Sequence, residues 1–307
     1  MPTMTPTQRF QGQDLLRVGR DDNYLLLAPS QGGRLVRWVH RGQDILYWPD
    51  DADWTRVAKV RGGNPLLFPF IGRHFVDGEA GRWRDGAGVT HDLPQHGFAR
   101  DLPFAVSEMS EDAVSLSLTS SDLTRPGYPF EFVFTAIYRL VPDGIAVTLR
   151  TRNTGDAALP PLPYYAGHHF YFALPHQARA QSRIVMPPAS RVRQQADGSL
   201  TAPEPGEPAY RLDDPRLQDT FHVLQAAGTD DVGSVRVELP ARTIEIGLDS
   251  ANSAPWYAVT TWTERDDSDF YCVEPWLGLP NAIHHGHGLR WLPGGTEETA
   301  TCRLILR

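Results

Sequence analysis

The chain reads Phe132-Val-Phe-Thr-Ala-Ile-Tyr-Arg-Leu140, and the turn signal Pro142-Asp-Gly144 leads from there into Gly144-Ile-Ala-Val-Thr-Leu-Arg-Thr151. Both segments are rich in β-branched residues, and the second alternates apolar and polar residues over most of its length. Pro-Asp-Gly is a sequence that tight turns favour. The pattern predicts two β-strands joined by a short turn.

Similar short segments recur on both sides of this pair, with turn signals such as Asp77-Gly78 and Asp197-Gly198 between them. We predict further strands at residues 113–119, 183–186, 235–239, 243–248 and 299–306. A short helix is predicted only within residues 212–224, and residues 202–208 read as a surface loop. A parallel βαβ arrangement would need helices between its strands. The sequence therefore predicts an all-β protein, a large antiparallel β-sandwich with few short helices.

Composition narrows the class of protein further. The 307 residues include 27 Gly and 26 Pro, which favours a fold with many turns over a helical bundle. We expect one domain over residues 1–307, with residues 1–22 as an N-terminal extension or a first strand. The net charge of −8 disfavours nucleic acid or a membrane surface as a partner, because phosphate groups require a basic face.

The N-terminal residues, the cysteines and a histidine tract bear on the cellular location of the protein and on metal binding. Residues 1–22 carry charges and no apolar stretch, so no signal peptide is predicted, and a cytoplasmic protein is expected. Only Cys272 and Cys302 occur, which excludes a disulfide framework and makes a thiolate metal site improbable. The histidine tract 283–288 contains Gly286 and Gly288, so it reads as a flexible turn and not as a zinc site.

Three segments combine ionisable residues with many aromatic, Pro and Gly residues. The first consists of residues 62–73 and 93–101, the second of residues 161–172 and the third of residues 270–281. Glu274 stands between Val273 and Pro275, where partial burial would raise its pKa and suit it to proton transfer. A salt-bridged structural Glu274 fits the same pattern. His96 is either a hydrogen-bonded structural histidine or a catalytic one.

The adjacent pair His168 and His169 adds a geometric constraint. Neighbouring side chains on an extended strand face opposite sides. At most one of the two histidines is therefore expected to point into a given pocket.

Together these segments resemble the aldose 1-epimerase (mutarotase) family. The resemblance covers the chain from about residue 25 to residue 306. It rests on four motifs in the family's order: Asn64-Pro-Leu-Leu-Phe-Pro-Phe-Ile-Gly-Arg73, Leu93-Pro-Gln-His-Gly-Phe-Ala-Arg-Asp101, Gly167-His-His-Phe-Tyr-Phe172 and Val273-Glu-Pro-Trp-Leu-Gly-Leu-Pro-Asn281.

The resemblance implies a galactose mutarotase-like supersandwich that interconverts the α and β anomers of a free aldose without metal or cofactor. It assigns catalytic roles to Glu274, His169 and His96, and substrate binding to Arg73 and Asp219. The family usually has Pro after the catalytic histidine, whereas Phe170 follows His169 here.

Several alternatives remain at this stage. A hexose-6-phosphate mutarotase shares the catalytic residue types, although the acidic composition and a local Arg100–Asp101 pair favour a neutral hexose. A non-catalytic carbohydrate-binding sandwich would not require both an acid and a base. A glycoside hydrolase requires two carboxylates, and Asp219 or Asp249 would be the second one.

Overall fold

A computed structural model describes residues 6–225, 231–249 and 255–307. Its first strands are β1 (Thr7–Phe10), β2 (Gln13–Arg20), β3 (Asn23–Ala28), β4 (Arg34–His40), β5 (Gln43–Asp44), β6 (Leu66–Leu67), β7 (Phe75–Val76), β8 (Glu79–Ala80), β9 (Arg82–Arg84) and β10 (Thr90–Asp92). The middle of the chain forms β11 (Ala105–Met109), β12 (Ala113–Thr119), β13 (Phe132–Val141), β14 (Gly144–Asn153), β15 (Leu162–Tyr164), β16 (Gly167–His168), β17 (Tyr171–Ala173), β18 (Arg183–Val185) and β19 (Ala189–Val192). The remaining strands are β20 (Glu204–Pro205), β21 (Ala209–Arg211), β22 (Thr220–Leu224), β23 (Asp231–Leu239), β24 (Arg242–Asp249), β25 (Ala258–Trp262), β26 (Phe270–Trp276), β27 (Arg290–Leu292) and β28 (Glu297–Leu306).

Two large antiparallel sheets and one smaller sheet dominate the architecture. The nine-stranded sheet has the order β11-β12-β13-β14-β28-β24-β23-β18-β21. The eight-stranded sheet has the order β20-β19-β22-β25-β26-β16-β6, with β17 also paired to β26. Strands β1 to β5 form a sheet in sequence order. The predicted large antiparallel sandwich is confirmed.

The β13–β14 hairpin shows why these sequences form strands. All ten residues of β13 pair with β14, from Phe132 opposite Asn153 to Val141 opposite Gly144. Phe132, Phe134 and Tyr138 lie on one face, are fully buried, and belong to the main hydrophobic core. Phe134 stacks on Phe68 with ring centroids 4.3 Å apart. The twofold alternation therefore buries one face against residues from another part of the chain.

Helices are few and short in the described part of the chain. They are 3-10 turns at Val57–Lys59, Ala99–Asp101, His176–Gln181 and Pro215–Leu217, and one α-helix, α1 (Ala282–His285). Among the residues described, none of these helices is long and apolar enough to cross a membrane.

The predicted helix within residues 212–224 is wrong. Asp214 caps a single 3-10 turn, Pro215–Leu217, by accepting a hydrogen bond from the Arg216 N–H, and β22 follows it. Asp219 has a φ of 47°, which interrupts any continuous right-handed helix. Within the predicted loop 202–208, Glu204–Pro205 forms a short strand. The histidine tract predicted as a flexible turn begins inside α1.

Arg34 is fully buried and fastens the segment before β6 to β4. Its guanidinium donates to the carbonyl oxygens of Val57 (2.5 Å), Val60 (2.6 Å) and Gly62 (2.5 and 3.1 Å). Burial lowers its pKa to about 10, so it remains charged at neutral pH. One side chain therefore holds three buried carbonyl groups and shapes the loop that carries Arg61.

Replacing this guanidinium tests its contribution. Arg34→Met should lower the free energy of unfolding by about 2–4 kcal/mol, because buried carbonyl groups lose their donor. Urea or thermal unfolding, followed by circular dichroism, measures the change. The matched control is Arg20→Met, since Arg20 pairs with Glu111 on the surface and is 72% exposed. That control should change stability by less than about 0.5 kcal/mol. Equal losses in the two variants would contradict the assigned role of Arg34.

Candidate active site

A cavity of about 400 Å³ opens over one face of the eight-stranded sheet. Its floor consists of alternate residues of neighbouring strands, because side chains two apart on a strand share a face. Thr260 and Trp262 come from β25, and Glu274 and Trp276 come from β26. Thr260 pairs directly with Glu274 across the two strands. Loops from residues 58–61, 72–73 and 95–100 complete the wall.

Glu274 and His169 form the centre of this floor. Glu274 is 1% exposed, and its Oε1 lies 3.4 Å from His169 Nδ1. Neither Glu274 Oε2 nor His169 Nδ1 has a hydrogen-bond partner among the described residues. Burial raises the pKa of Glu274 well above its ordinary value, and the nearby charge of Asp219 adds to this effect. Trp276 opposes this rise in pKa, but burial is the larger effect, so the protonated form of the buried carboxyl group is favoured.

The pKa of His169 shifts in the opposite direction. Burial lowers it well below its usual value, and the positive charges of Arg100, Arg34 and Arg61 lower it further. Each shift favours the uncharged form of its group. Burial therefore favours a protonated carboxyl group beside a neutral imidazole in this pair.

Asn64 determines which histidine faces the cavity. Its Oδ1 accepts a hydrogen bond from the His169 N–H at 2.9 Å, and its Nδ2 lies 3.1 Å from His168 Nδ1. His168 is fully buried on the other side of the strand, where its ring packs against Phe170 and Trp256. The two adjacent histidines therefore have different surroundings, and His169 is the one that lines the cavity.

His96 lies in a tight turn beside this pair. Its φ of 68° is in the left-handed region, and its ring centroid is 5.7 Å from that of His169. The Gly72 N–H donates to His96 Nδ1 at 3.1 Å. In the neutral ring the proton is therefore on Nε2. Burial, with the charges of Arg100 and His169, lowers the pKa of His96 well below its ordinary value.

The structure brings all five residues predicted for the site to one cavity: Arg73, His96, His169, Asp219 and Glu274. Partial enclosure raises the pKa of Asp219, while the charge of Arg73 opposes that shift. Asp249, the other carboxylate considered, ends β24 in the nine-stranded sheet, and its side chain is outside the described part of the structure.

Three aromatic residues of the quoted motifs have different positions around the cavity. Trp276 lines the cavity and donates its indole N–H to the His168 carbonyl oxygen at 3.1 Å. Tyr171 instead stacks on the His169 ring at 4.6 Å and supports it. Phe98 packs against Phe68 in the core.

Cations are concentrated at one end of the cavity. Lys59, Arg61 and Arg100 line this end, and the charge of Arg61 lowers the pKa of Arg100. Glu264 accepts a hydrogen bond from Arg61 Nε at 3.0 Å, and Asp101 Oδ2 is 3.9 Å from Arg100 Nε. Neither acid is among the cavity-lining residues within the described ranges. We call Lys59, Arg61 and Arg100 the cationic end.

Sequence reasoning gave no role to several residues of this site. Asn64 lies inside a quoted motif, but its function depends on contacts with residues about a hundred positions away. Thr260 and Trp262 lie on a strand that was not predicted. The β-branched and aromatic residues of Ala258–Trp262 were the available signal.

Metal-binding atoms also meet at the floor of the cavity. Among the described residues, His169, Cys272 and Glu274 each offer one such atom, and the three atoms lie within 4.8 Å of one another. Both ring nitrogens of His285, in the histidine tract, contact nearby backbone groups: Nε2 lies at the Pro280 carbonyl oxygen, and Nδ1 accepts from the His287 N–H.

The sequence model of the aldose 1-epimerase family matches residues 14–304. The chain belongs to the aldose 1-epimerase family. Among the curated relatives of this family member is a provisional glucose-6-phosphate 1-epimerase from Escherichia coli strain K12, 29% identical over 115 residues. That match spans 36% of this chain and about a third (34%) of the relative. The chromosomal protein LacX of Lactococcus lactis subsp. lactis is 24% identical over 282 residues, which cover 87% of this chain and 89% of LacX.

Solved structures support the same fold. The Slr1438 protein from Synechocystis sp. PCC 6803 has a TM-score of 0.78 and 25% identity, with 99% of this chain and 98% of that chain covered. A galactose mutarotase related enzyme from Lactobacillus acidophilus has a TM-score of 0.78 and 21% identity, with 95% and 97% coverage. The predicted family and its galactose mutarotase-like fold are therefore confirmed.

The electrostatics of the site can be tested by titration. We expect the imidazoles of His96 and His169 to remain neutral well below pH 6.5, because burial and Arg100 oppose their protonation. Arg100→Gln removes one positive charge, so both pKa values should rise, by about half a unit or more. Nitrogen-15 NMR of the imidazole rings measures these values. Arg100→Lys retains the charge and serves as the control. Unchanged pKa values in Arg100→Gln would disprove this coupling.

Proposed function

We propose that this protein interconverts the α and β anomers of an aldose by acid–base catalysis at Glu274 and His169. The observation that carries the proposal is the buried, 3.4 Å carboxyl–imidazole pair in the floor of an open cavity. Both side chains line the cavity, so the pair lies within reach of a sugar bound there. A carbohydrate-binding module would bury such groups at a cost in free energy and gain no catalysis from them.

Anomer exchange requires two coupled proton transfers. One group removes the proton of the anomeric hydroxyl, and another donates a proton to the ring oxygen. The C1–O5 bond breaks, and the open-chain aldehyde forms. Rotation about C1–C2 then allows the C5 hydroxyl to attack the other face of the aldehyde. Because the reaction is reversible, the two groups exchange roles during ring closure.

We assign the base role during ring opening to Glu274. In the empty cavity burial favours its protonated form, but a hydrogen bond from a sugar hydroxyl stabilises the carboxylate. The carboxyl proton then moves to His169, whose imidazolium is a strong acid because burial, together with the charges of Arg100, Arg34 and Arg61, lowers its pKa. A strong acid is suited to the weakly basic ring oxygen of a sugar.

Other residues of the cavity would hold the sugar. His96, whose Nε2 lies 3.2 Å from Gln95 Nε2, borders the pair, and Arg73 and Asp219 line the same cavity. Trp276 offers an aromatic surface to the apolar face of a pyranose. Side chains supply both proton transfers, so the proposed reaction requires no metal or cofactor. The single-domain organisation, the cytoplasmic location and the absence of nucleic acid or membrane partners stay predictions.

The cationic end favours a second candidate substrate, a hexose 6-phosphate. Arg61 and Arg100 are suited to phosphate because a guanidinium binds it with two parallel hydrogen bonds. The local pairing of Arg100 with Asp101 that favoured a neutral hexose is weak, since their closest atoms are 3.9 Å apart. The name of the Escherichia coli relative agrees with this candidate.

The acid–base pair is tested by removing each member. Glu274→Gln keeps the shape but not the proton acceptor, and His169→Asn removes the acid. Each variant should lower kcat/KM for anomerisation about 10²-fold or more, the usual effect of losing such a group. Polarimetry on fresh α-D-glucose, α-D-galactose and α-D-glucose 6-phosphate measures the rates.

His168→Asn and Glu297→Gln are the matched controls. His168 lies outside the cavity, so its replacement should chiefly lower stability, and Glu297 is exposed on β28. Wild-type turnover by a folded Glu274→Gln variant would disprove the role of Glu274. Inactive His168→Asn beside active His169→Asn would assign the acid to the other histidine.

The substrate is tested by comparing charged and neutral sugars. We expect kcat/KM for α-D-glucose 6-phosphate to exceed that for α-D-glucose by about tenfold or more, equivalent to about 1.4 kcal/mol of transition-state binding. Arg61→Gln should reduce this ratio, because it removes a cation at the predicted phosphate position. Arg82→Gln is the control, since Arg82 pairs with Glu79 and Asp92 away from the cavity. Equal kcat/KM values for the two sugars would identify the neutral aldose as the substrate.

A further inference from the structure

Cys272 is a buried thiol to which the proposed reaction gives no role. It is fully buried two residues before Glu274 on β26, and it therefore faces the same side of the strand. Tyr171, its cross-strand partner, follows His169 by two residues. The strand pairing thus directs a thiol, a carboxyl group and an imidazole to one point beneath the cavity.

The donor atoms have the spacing of a metal site that is nearly formed. The three atoms lie within 4.8 Å of one another, and the His169 Nδ1–Glu274 Oε1 distance is 3.4 Å. Tetrahedral Zn²⁺ with bonds of about 2.0–2.3 Å requires ligand atoms about 3.3–3.8 Å apart. The widest pair therefore needs to approach by no more than about 1 Å for the three atoms to bind one ion.

Two further observations point to a ligand at this position. His169 Nδ1 and Glu274 Oε2 are buried and have no hydrogen-bond partner among the described residues, and both side chains line the open cavity. The His169 and Glu274 side chains border the cavity, so a cation in the cavity has a short path to the donor atoms, which are themselves buried, as is Cys272. Three protein ligands with a fourth position open to solvent is the usual arrangement of an accessible zinc site.

We propose that His169, Cys272 and Glu274 form an inhibitory site for a thiophilic divalent cation, with Zn²⁺ as the best fit. A thiolate and an imidazole favour Zn²⁺ over Mg²⁺ or Ca²⁺, which prefer oxygen ligands. Binding places the metal on both members of the acid–base pair, so neither can transfer a proton. The Cys272 thiol proton, and that of Glu274 where present, pass to the solvent as the metal binds.

The loss of activity rests on the proposed function, whereas metal binding does not, so the experiment measures both. The full-length protein is first freed of metal with a chelator and then titrated with ZnCl₂ during polarimetry. We expect Zn²⁺ to inhibit the wild type, and saturating sugar to raise the half-inhibitory concentration. Cys272→Ala should raise that concentration at least about tenfold, which corresponds to about 1.4 kcal/mol of binding.

Cys302→Ala is the matched control, because Cys302 is also a free and fully buried cysteine but lies on β28 in the other large sheet. It should remain as sensitive to Zn²⁺ as the wild type. Cys272→Ser, which preserves the volume of the side chain, provides a second variant if Cys272→Ala folds poorly.

Cobalt(II) measures binding without reference to activity. The wild type and Cys302→Ala should show thiolate-to-cobalt charge-transfer absorption, and Cys272→Ala should not. Equal Zn²⁺ inhibition of the wild type and a folded Cys272 variant, or no cobalt–thiolate absorption in the wild type, would overturn the proposal. Cobalt binding by a protein inactive on every sugar would instead contradict the proposed function and leave the metal site supported.

Discussion

The side-chain amide of Asn64 is the constraint on which the site depends. The backbone N–H of Asn64 donates to the Leu35 carbonyl oxygen on β4 at 2.7 Å, while the Asn64 side chain contacts both His168 and His169. One residue therefore ties the five-stranded sheet to the strand that carries the histidines. Because the His169 N–H is fixed by Asn64 Oδ1, the His169 ring is directed toward Glu274 and the His168 ring into the core.

Burial then determines the chemistry of the pair that Asn64 positions. The low dielectric of the floor raises the pKa of Glu274 and lowers that of His169, so both groups favour their neutral forms. The charges of Arg61 and Arg100 in the cavity wall also lower the pKa of His169. A carboxyl group and an imidazole that are both neutral can exchange one proton with a sugar without creating a lasting buried charge. The same buried, unpartnered atoms also explain why a divalent cation would compete for this position.

The cationic end and the floor of the cavity are built from different kinds of element. The floor residues belong to strands, whereas Lys59, Arg61 and Arg100 belong to loops and 3-10 turns at the rim. Arg34 shapes one of these loops through buried carbonyl groups. Rim residues can therefore change the charge presented to a sugar while the Glu274–His169 pair stays fixed by the sheet.

The sequence by itself determined the strands and the residue types of the site. The alternation at residues 113–119 and 144–151 predicted β12 and β14, and the β-rich, more apolar residues 132–140 predicted β13, because both signals are local properties of a strand. The motifs around Glu274, His169 and His96 identified the ionisable groups. Residues 212–224 were predicted wrongly because apolar spacing alone did not reveal the left-handed Asp219 or the strand pairing of β22. Only the tertiary structure decided that Asn64 orients the histidines, that Thr260 lies opposite Glu274 and that Cys272 approaches His169. Those contacts join segments far apart in the chain, and they depend on strand register and burial, which no local pattern of residues encodes.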